Sequence, residues 1–263
     1  MTVLTAETDK VNKSEETPTK SASKPHNASP EGGKEWGYDL YPERRQQKDP
    51  SLMSNLMKGK GRENIDKIRC ERTVYKCIKT SPLVKLMMGA LKSSGCAVDI
   101  RRHIACEECS ALVSGGYDPV LNQVVVCQNI ATNEGMVQGV LTHEMIHMFD
   151  YCRNKLDFKN IDHLACTEIR AANLTHCSFM SAWFQGDVSL FNIRQAHQVC
   201  VKNKALQSVL AVRNCSKLEA IDAVERVFPK CYNDMEPIGR RLKRNSDDMY
   251  RAYAEGYLYG YDA

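Results

Sequence analysis

Between residues 65 and 91 apolar side chains return every three or four positions, at Ile68, Val74 and Ile78 and then at Leu83, Leu86, Met87 and Ala90. That spacing predicts two consecutive helices. Pro82 suits the first turn of the second helix, where its missing N–H costs nothing, and Gly95 suits its end. From Ala97 to Gln128 the period shortens. Gly115-Gly116 and Asp118-Pro119 read as turns, and Asn122-Gln-Val-Val-Val-Cys-Gln is a short β-branched run, so a small sheet is expected. The helical period returns from Gly135 with Met136, Val137, Val140, Leu141, Met145, Ile146, Met148 and Phe149, predicting a helix to about Cys152. Leu164 to Phe179 and Leu206 to Phe228 read as further helices. Helices, then a sheet, then helices argue for an α+β fold rather than a βαβ repeat. No internal repeat is evident.

The two ends differ from this middle. Roughly the first 35 residues are Lys, Glu, Ser, Thr, Pro and Gly with little to bury, the composition of a disordered extension. Glu35-Trp-Gly-Tyr-Asp-Leu-Tyr-Pro follows, either a docking peptide or a strap on the domain. The expected division is an extension over 1–60, a folded domain over 61–239, and a basic, Tyr-rich tail over 240–263. The net charge of +4, from 36 basic against 32 acidic residues, is too mild to demand a nucleic-acid partner. All 12 Cys of the 263 residues fall between Cys70 and Cys231. Such a count suggests either an oxidising compartment or thiolate metal sites. Met1 to Lys20 has neither the apolar run of a secretory signal nor the Arg-rich period of an ordinary presequence. Leu83 to Leu91, broken by Lys85, is too short to span a bilayer.

Within the helix predicted from Gly135, Thr142-His143-Glu144-Met145-Ile146-His147 contains His-Glu-x-x-His. Residues four apart share a helix face, so His143 and His147 can hold one zinc through their imidazoles, with Glu144 as general base for a water. With only 7 His in the chain, a chance match is on the order of one in a hundred. Three residues compete for the third ligand. Glu168, in Ala165-Cys-Thr-Glu-Ile-Arg, can be aimed back by a second helix packed on the first, and it is the favoured choice. His163 precedes that helix. Asp150 lies seven after His143, but three ligands from one short stretch strain a tetrahedron, so it suits better a partner that orients His147. Arg170 can brace Asp150 or Glu168. Arg170, His176 or a Tyr could supply an oxyanion donor.

These residues carry a resemblance. His143-Glu-Met-Ile-His-Met-Phe-Asp-Tyr-Cys-Arg and His163-Leu-Ala-Cys-Thr-Glu-Ile-Arg-Ala-Ala-Asn-Leu closely resemble the mitochondrial inner-membrane metalloproteases that assist ATP synthase assembly, a family whose animal members are also called Ku-binding proteins. Leu83-Val-Lys-Leu, Ser94-Gly-Cys-Ala-Val, Cys106-Glu-Glu-Cys, Val113-Ser-Gly-Gly-Tyr-Asp, Val126-Cys-Gln-Asn, Ala211-Val-Arg-Asn and Cys231-Tyr-Asn-Asp-Met-Glu-Pro extend it over roughly Cys70 to Gly239. It implies a compact zincin-like peptidase with disulfide-braced helices, with Zn2+ on His143 and His147, Glu144 as base, and Glu168 in a matching block. It further implies residence in the intermembrane space, peripheral contact with the inner membrane, and processing of the N-terminus of ATP synthase subunit a. Import with oxidative trapping would explain a Cys-rich core without a presequence.

Two other functions remain as rivals. One is a non-proteolytic chaperone acting on ATP synthase assembly intermediates. The other is a Ku-associated factor in double-strand break repair, which predicts reduced cysteines and a nuclear pool, with no direct nucleic-acid contact expected. Cys106-x-x-Cys109, preceded by His103, could be half a zinc site, but no second CxxC completes it, so a disulfide is preferred. Ten cysteines match family positions by the resemblance, while Cys77 and Cys215 are additional, either free or paired together. Arg240, Arg241, Lys243 and Arg244 before the Tyr-rich tail could touch an anionic surface, although a short basic run is more often simply solvated. Asn173 and Asn214 begin glycosylation sequons by pattern only.

Overall fold

The computed structural model describes residues 60–110, 113–177, 193–243 and 246–262, with side chains from residue 65 onward and from residue 194 in the helix that begins at 193. The N-terminal extension, the aromatic segment 35–42, Phe179 and Arg244 lie outside the described residues. Helices α1 (Lys60–Thr80) and α2 (Pro82–Ser93) form the expected hairpin. Ser81 caps α2 by accepting from the Val84 N–H, with Pro82 in the first turn. Ile65 and Ile68 are exposed, so the inward face of α1 is set instead by Cys70, Val74, Cys77 and Ile78.

A single turn, α3 (Ile100–His103), leads into β1 (Ile104–Glu107), and β2 (Gly115–Asp118) and β3 (Gln123–Cys127) complete a sheet of order β1-β3-β2. β3 runs parallel to β1 and antiparallel to β2. As the middle strand β3 is covered on both faces, which is why it reads Val-Val-Val rather than alternating. The β2–β3 turn places Asn122 at φ 51°, a region Asn tolerates. The long helix α4 (Glu134–Arg153), capped by Asn133, lies against this sheet. The approach is close enough that a Cβ on Gly115 would stand 2.3 Å from Val140 Cγ1.

The helix expected from Leu164 to Phe179 is α5 (Ile161–Ala171), continued by a π turn over Ala172–His176. The span read as one helix from Leu206 to Phe228 is two, α6 (Ile193–Val212) and α7 (Lys217–Asn233). Apolar periodicity continues across the gap, but Ser216 accepts from the Glu219 N–H while Glu219 accepts from the Ser216 N–H, and this capping box starts a new helix. α7 also runs through Pro229, past the expected end at Phe228. Within the stretch read as a tail, α8 (Asp248–Glu255) and a 3-10 turn (Gly256–Tyr259) follow, and α8 packs on α2.

Three buried clusters result. The largest gathers α1, α2, the sheet, α4 and α8; a second gathers α5, α6 and α7 around Leu164, Ile169, Val201, Val209, Val224 and Phe228; a small third holds Cys109, Val125 and Cys127. Disulfides Cys70–Cys106 and Cys96–Cys152 brace the first, Cys166–Cys231 and Cys177–Cys200 the second, and Cys109–Cys127 lies in the third. Cys106 and Cys109 are therefore oxidised, each with a distant partner and not with one another. Cys77 and Cys215 are free. No helix among the described residues is long and apolar enough to cross a membrane.

Candidate active site

The seam between the two larger clusters is formed by α4 and α5, and the His-Glu-x-x-His run faces it. His143 Nε2 and His147 Nε2 lie 3.3 Å apart. Glu168, one turn before the end of α5, brings Oε2 to 3.6 Å from His143 Nε2 and Oε1 to 3.6 Å from His147 Nε2. Glu144 completes a group in which one donor atom each from His143, Glu144 and His147 lie within 4.8 Å of one another. α5 is amphipathic with its buried stripe on Leu164, Ala165, Thr167, Glu168 and Ala171, so Glu168 is carried inward. His163, in the first turn of α5, is exposed, and its Nδ1 accepts from the Asp157 N–H.

Behind His147 lies a buried polar chain. His147 Nδ1 is 2.9 Å from Thr167 Oγ1, and Thr167 donates to Asp150 Oδ2 at 2.7 Å. Asp150 thus reaches His147 through a hydroxyl rather than directly. Arg170 closes the chain with Nε at 3.0 Å from both Asp150 oxygens and Nη2 2.8 Å from Oδ1. Of the two carboxylates it could brace, Arg170 takes Asp150, and it also holds the Glu236 carbonyl and Asp234. Burial outweighs the guanidinium and leaves the Asp150 carboxyl raised; the ionised form is still the consistent one, since a neutral Asp150 would leave a buried cation short of its counter-charge. With these commitments Arg170 is no free oxyanion donor.

The π turn sets the other flank. Its widened backbone brings Thr175 Oγ1 to 3.4 Å from His143 Nδ1 and the His176 ring to 4.6 Å, centroid to centroid, from the His143 ring. Thr167, Thr175 and the π turn were not signalled by the sequence pattern. Thr167 was findable in principle, because it lies three before Arg170 as His147 lies three before Asp150, and such pairs share a helix face.

Electrostatically the site is short of positive charge. Burial lifts the Glu144 carboxyl to about 7, with Glu168 adding to the rise and His143 opposing it. Burial alone would lower His143, yet Glu144 and Glu168 outweigh it and raise the imidazole. His147 is lowered to about 4 by burial. Glu168 is lowered despite its burial, chiefly by His147 and His143. Its Oε2 is nonetheless buried without a hydrogen-bond partner among the described residues. Two imidazole nitrogens and an unsatisfied carboxylate oxygen, converging from largely buried side chains, form a donor set that fits a divalent metal of the zinc type.

The other basic and sequon residues have structural uses. Arg241 donates to Asn173 Oδ1 and the Tyr232 carbonyl and stacks over the Tyr232 ring, and Arg240 pairs with Glu255. Asn173 is itself buried, donating to the Tyr232 carbonyl.

Residues 68–239 match the family model described as Peptidase M76 family. A Danio rerio protein named mitochondrial inner membrane protease ATP23 homolog is 43% identical over 221 residues, covering 82% of this chain and 83% of its own. A Homo sapiens protein of the same name is 48% identical over 174 residues, 65% of this chain and 70% of its own. In Schizosaccharomyces pombe the mitochondrial inner membrane protease atp23 is 36% identical over 170 residues, 64% and 90% respectively. No solved structure matches.

Proposed function

Because the chain belongs to the peptidase M76 family, we propose that it is a zinc metalloendopeptidase of the mitochondrial intermembrane space, peripheral to the inner membrane, that removes the N-terminal presegment of ATP synthase subunit a. The observation that carries the chemistry is the convergence of His143 Nε2, His147 Nε2 and the Glu168 carboxylate within 3.6 Å. In this reading those three residues would hold Zn2+. Bound there, zinc supplies Lewis-acid polarisation of the scissile carbonyl and acidifies water. Glu144 removes a proton from the attacking water and returns it to the leaving amine. A carboxyl lifted to about 7 by burial is matched to accepting and releasing a proton near neutrality. Asp150, Thr167 and Arg170 hold His147 from behind, and Thr175 supports His143.

The relatives' printed names supply the mitochondrial inner membrane, and five disulfides support an oxidising compartment rather than a nuclear one. The subunit a substrate rests on the sequence resemblance, as does a second, non-proteolytic role in assembly.

The test is Glu144→Gln in the full chain. One zinc per molecule should be retained while presegment removal falls by about 10²–10⁴-fold. Full processing by the zinc-loaded variant would overturn the assignment of Glu144. Restored ATP synthase assembly by the same variant would separate the assembly role from cleavage.

A further inference from the structure

We infer that Thr167 is a positioning residue that fixes the His147 tautomer, so that the Nε2 lone pair, and not an N–H, faces the metal position. The inference deepens the zinc reading and rests on it for its significance. A hydroxyl has one proton to give. Thr167 gives it to Asp150 Oδ2 at 2.7 Å, and Asp150, clamped by Arg170 Nε and Nη2, is an acceptor only. Thr167 Oγ1 can then meet His147 Nδ1, 2.9 Å away, only as an acceptor. Were Nδ1 bare, two lone pairs would face each other at that distance in a site from which water is excluded, for Thr167 is fully buried. Nδ1 therefore carries the hydrogen, and Nε2 is left with its lone pair.

The opposite flank repeats the logic more loosely. Thr175 donates to the Ala171 carbonyl at 2.6 Å, so its oxygen also faces His143 Nδ1 as an acceptor, at 3.4 Å. With a metal bound, the two Nε2 atoms, 3.3 Å apart, would both present their lone pairs to it.

The geometry explains why a threonine stands at 167. His147 and Asp150 are one turn apart on α4, and Thr167 and Arg170 are one turn apart on α5. Packing these two pairs together places a hydroxyl between imidazole and carboxylate. The hydroxyl meets the ring on one side and the carboxylate on the other, and so relays the carboxylate's charge to His147. Because Arg170 also binds the Glu236 carbonyl, the relay ties the segment after α7 to the metal position.

Two measurements decide it. First, long-range 1H–15N NMR of the metal-free wild-type full chain should show His147 with Nδ1 protonated and Nε2 bare. An Nε2–H tautomer would overturn the inference, and this readout needs no variant. Second, zinc affinity by competition with a chelating dye should fall about 10–100-fold in Thr167→Val, which keeps the shape but loses the hydroxyl. Thr167→Ser, which keeps the hydroxyl, should stay within about twofold of wild type. Wild-type affinity in Thr167→Val, with the valine variant folded, would also overturn it. Failure of the zinc reading looks different: the wild-type protein would bind no zinc while the tautomer remained as stated.

Discussion

At the scale of single residues, the energetics centre on groups that are buried and polar. Asp150 is the hub, accepting from Thr167 and from Arg170, whose guanidinium it neutralises. Replacing it with Ala leaves the buried Arg170 with only the half-exposed Asp234 as counter-charge, and a loss of about 3 kcal/mol in stability is expected, measured by chemical denaturation. His197 makes a second prediction, at a distance from the zinc position. Its Nδ1 lies 2.8 Å from the Tyr232 hydroxyl and its Nε2 2.6 Å from the Cys177 carbonyl, the pattern of a neutral ring held in place. Burial holds its pKa below the ordinary histidine value, and Arg241 adds to this against the bond to Cys177. A group lowered in the folded state takes up its proton first in the unfolded chain. The neutral ring's contribution is therefore whole above pH ~6.5 and is lost as pH falls below it. His197→Gln should show a shallower drop in melting temperature between pH 7 and 5 than wild type; an equal drop would assign that acid sensitivity to other groups.

Among elements, the break between α6 and α7 shows where periodicity misleads. Leu206, Leu210, Ala220 and Val224 continue an apolar rhythm, yet Ser216 and Glu219 cap a fresh helix, because reciprocal side-chain bonds to orphan N–H groups are a local signal that hydrophobic spacing does not register. Ser216→Ala should cost about 1 kcal/mol, seen as a melting temperature lower by ~2–4 °C. The close seat of α4 on the sheet makes a sharper case. Any side chain at Gly115 meets Val140 and the Val125 carbonyl, so Gly115→Ala should destabilise the fold, and Val140→Ala in the same chain should recover part of the loss. The approach that forbids a Cβ at 115 also fixes α4, and with it His143 and His147, against the strands.

Over the described part of the molecule, the two larger buried clusters carry their own disulfides and meet along α4 and α5, which hold the proposed ligands from opposite sides. Metal removal should loosen that seam more than either cluster. Hydrogen exchange after chelation is expected to rise around 143–147 and 168–176, while 83–91 stays protected; uniform exposure would contradict this division. The oxidised framework is checked by alkylation. Denatured, unreduced protein should take up two alkyl groups, on Cys77 and Cys215, and reduced protein twelve. In the native state Cys77 should be silent, because it is fully buried and its thiol is pushed up to about 11 by burial and by Glu134.

The sequence by itself determined what repeats over a few residues: the α2 start at Pro82, the β-branched middle strand, and the pairing of His143 with His147 one helical turn apart. Their geometry is set by the backbone period, so spacing alone is enough. It also narrowed the third donor to Glu168, His163 and Asp150, but the placement that favours Glu168 depended on which turn of α5 is buried and on what stands between Asp150 and His147. Those are consequences of packing one helix against another. The disulfide partners, between 18 and 65 residues apart, were hidden for the same reason. So was the π turn that brings Thr175 to His143, and the spacing of Thr167 from Arg170 acquired its meaning only once α5 was packed on α4 with His147 and Asp150 facing it.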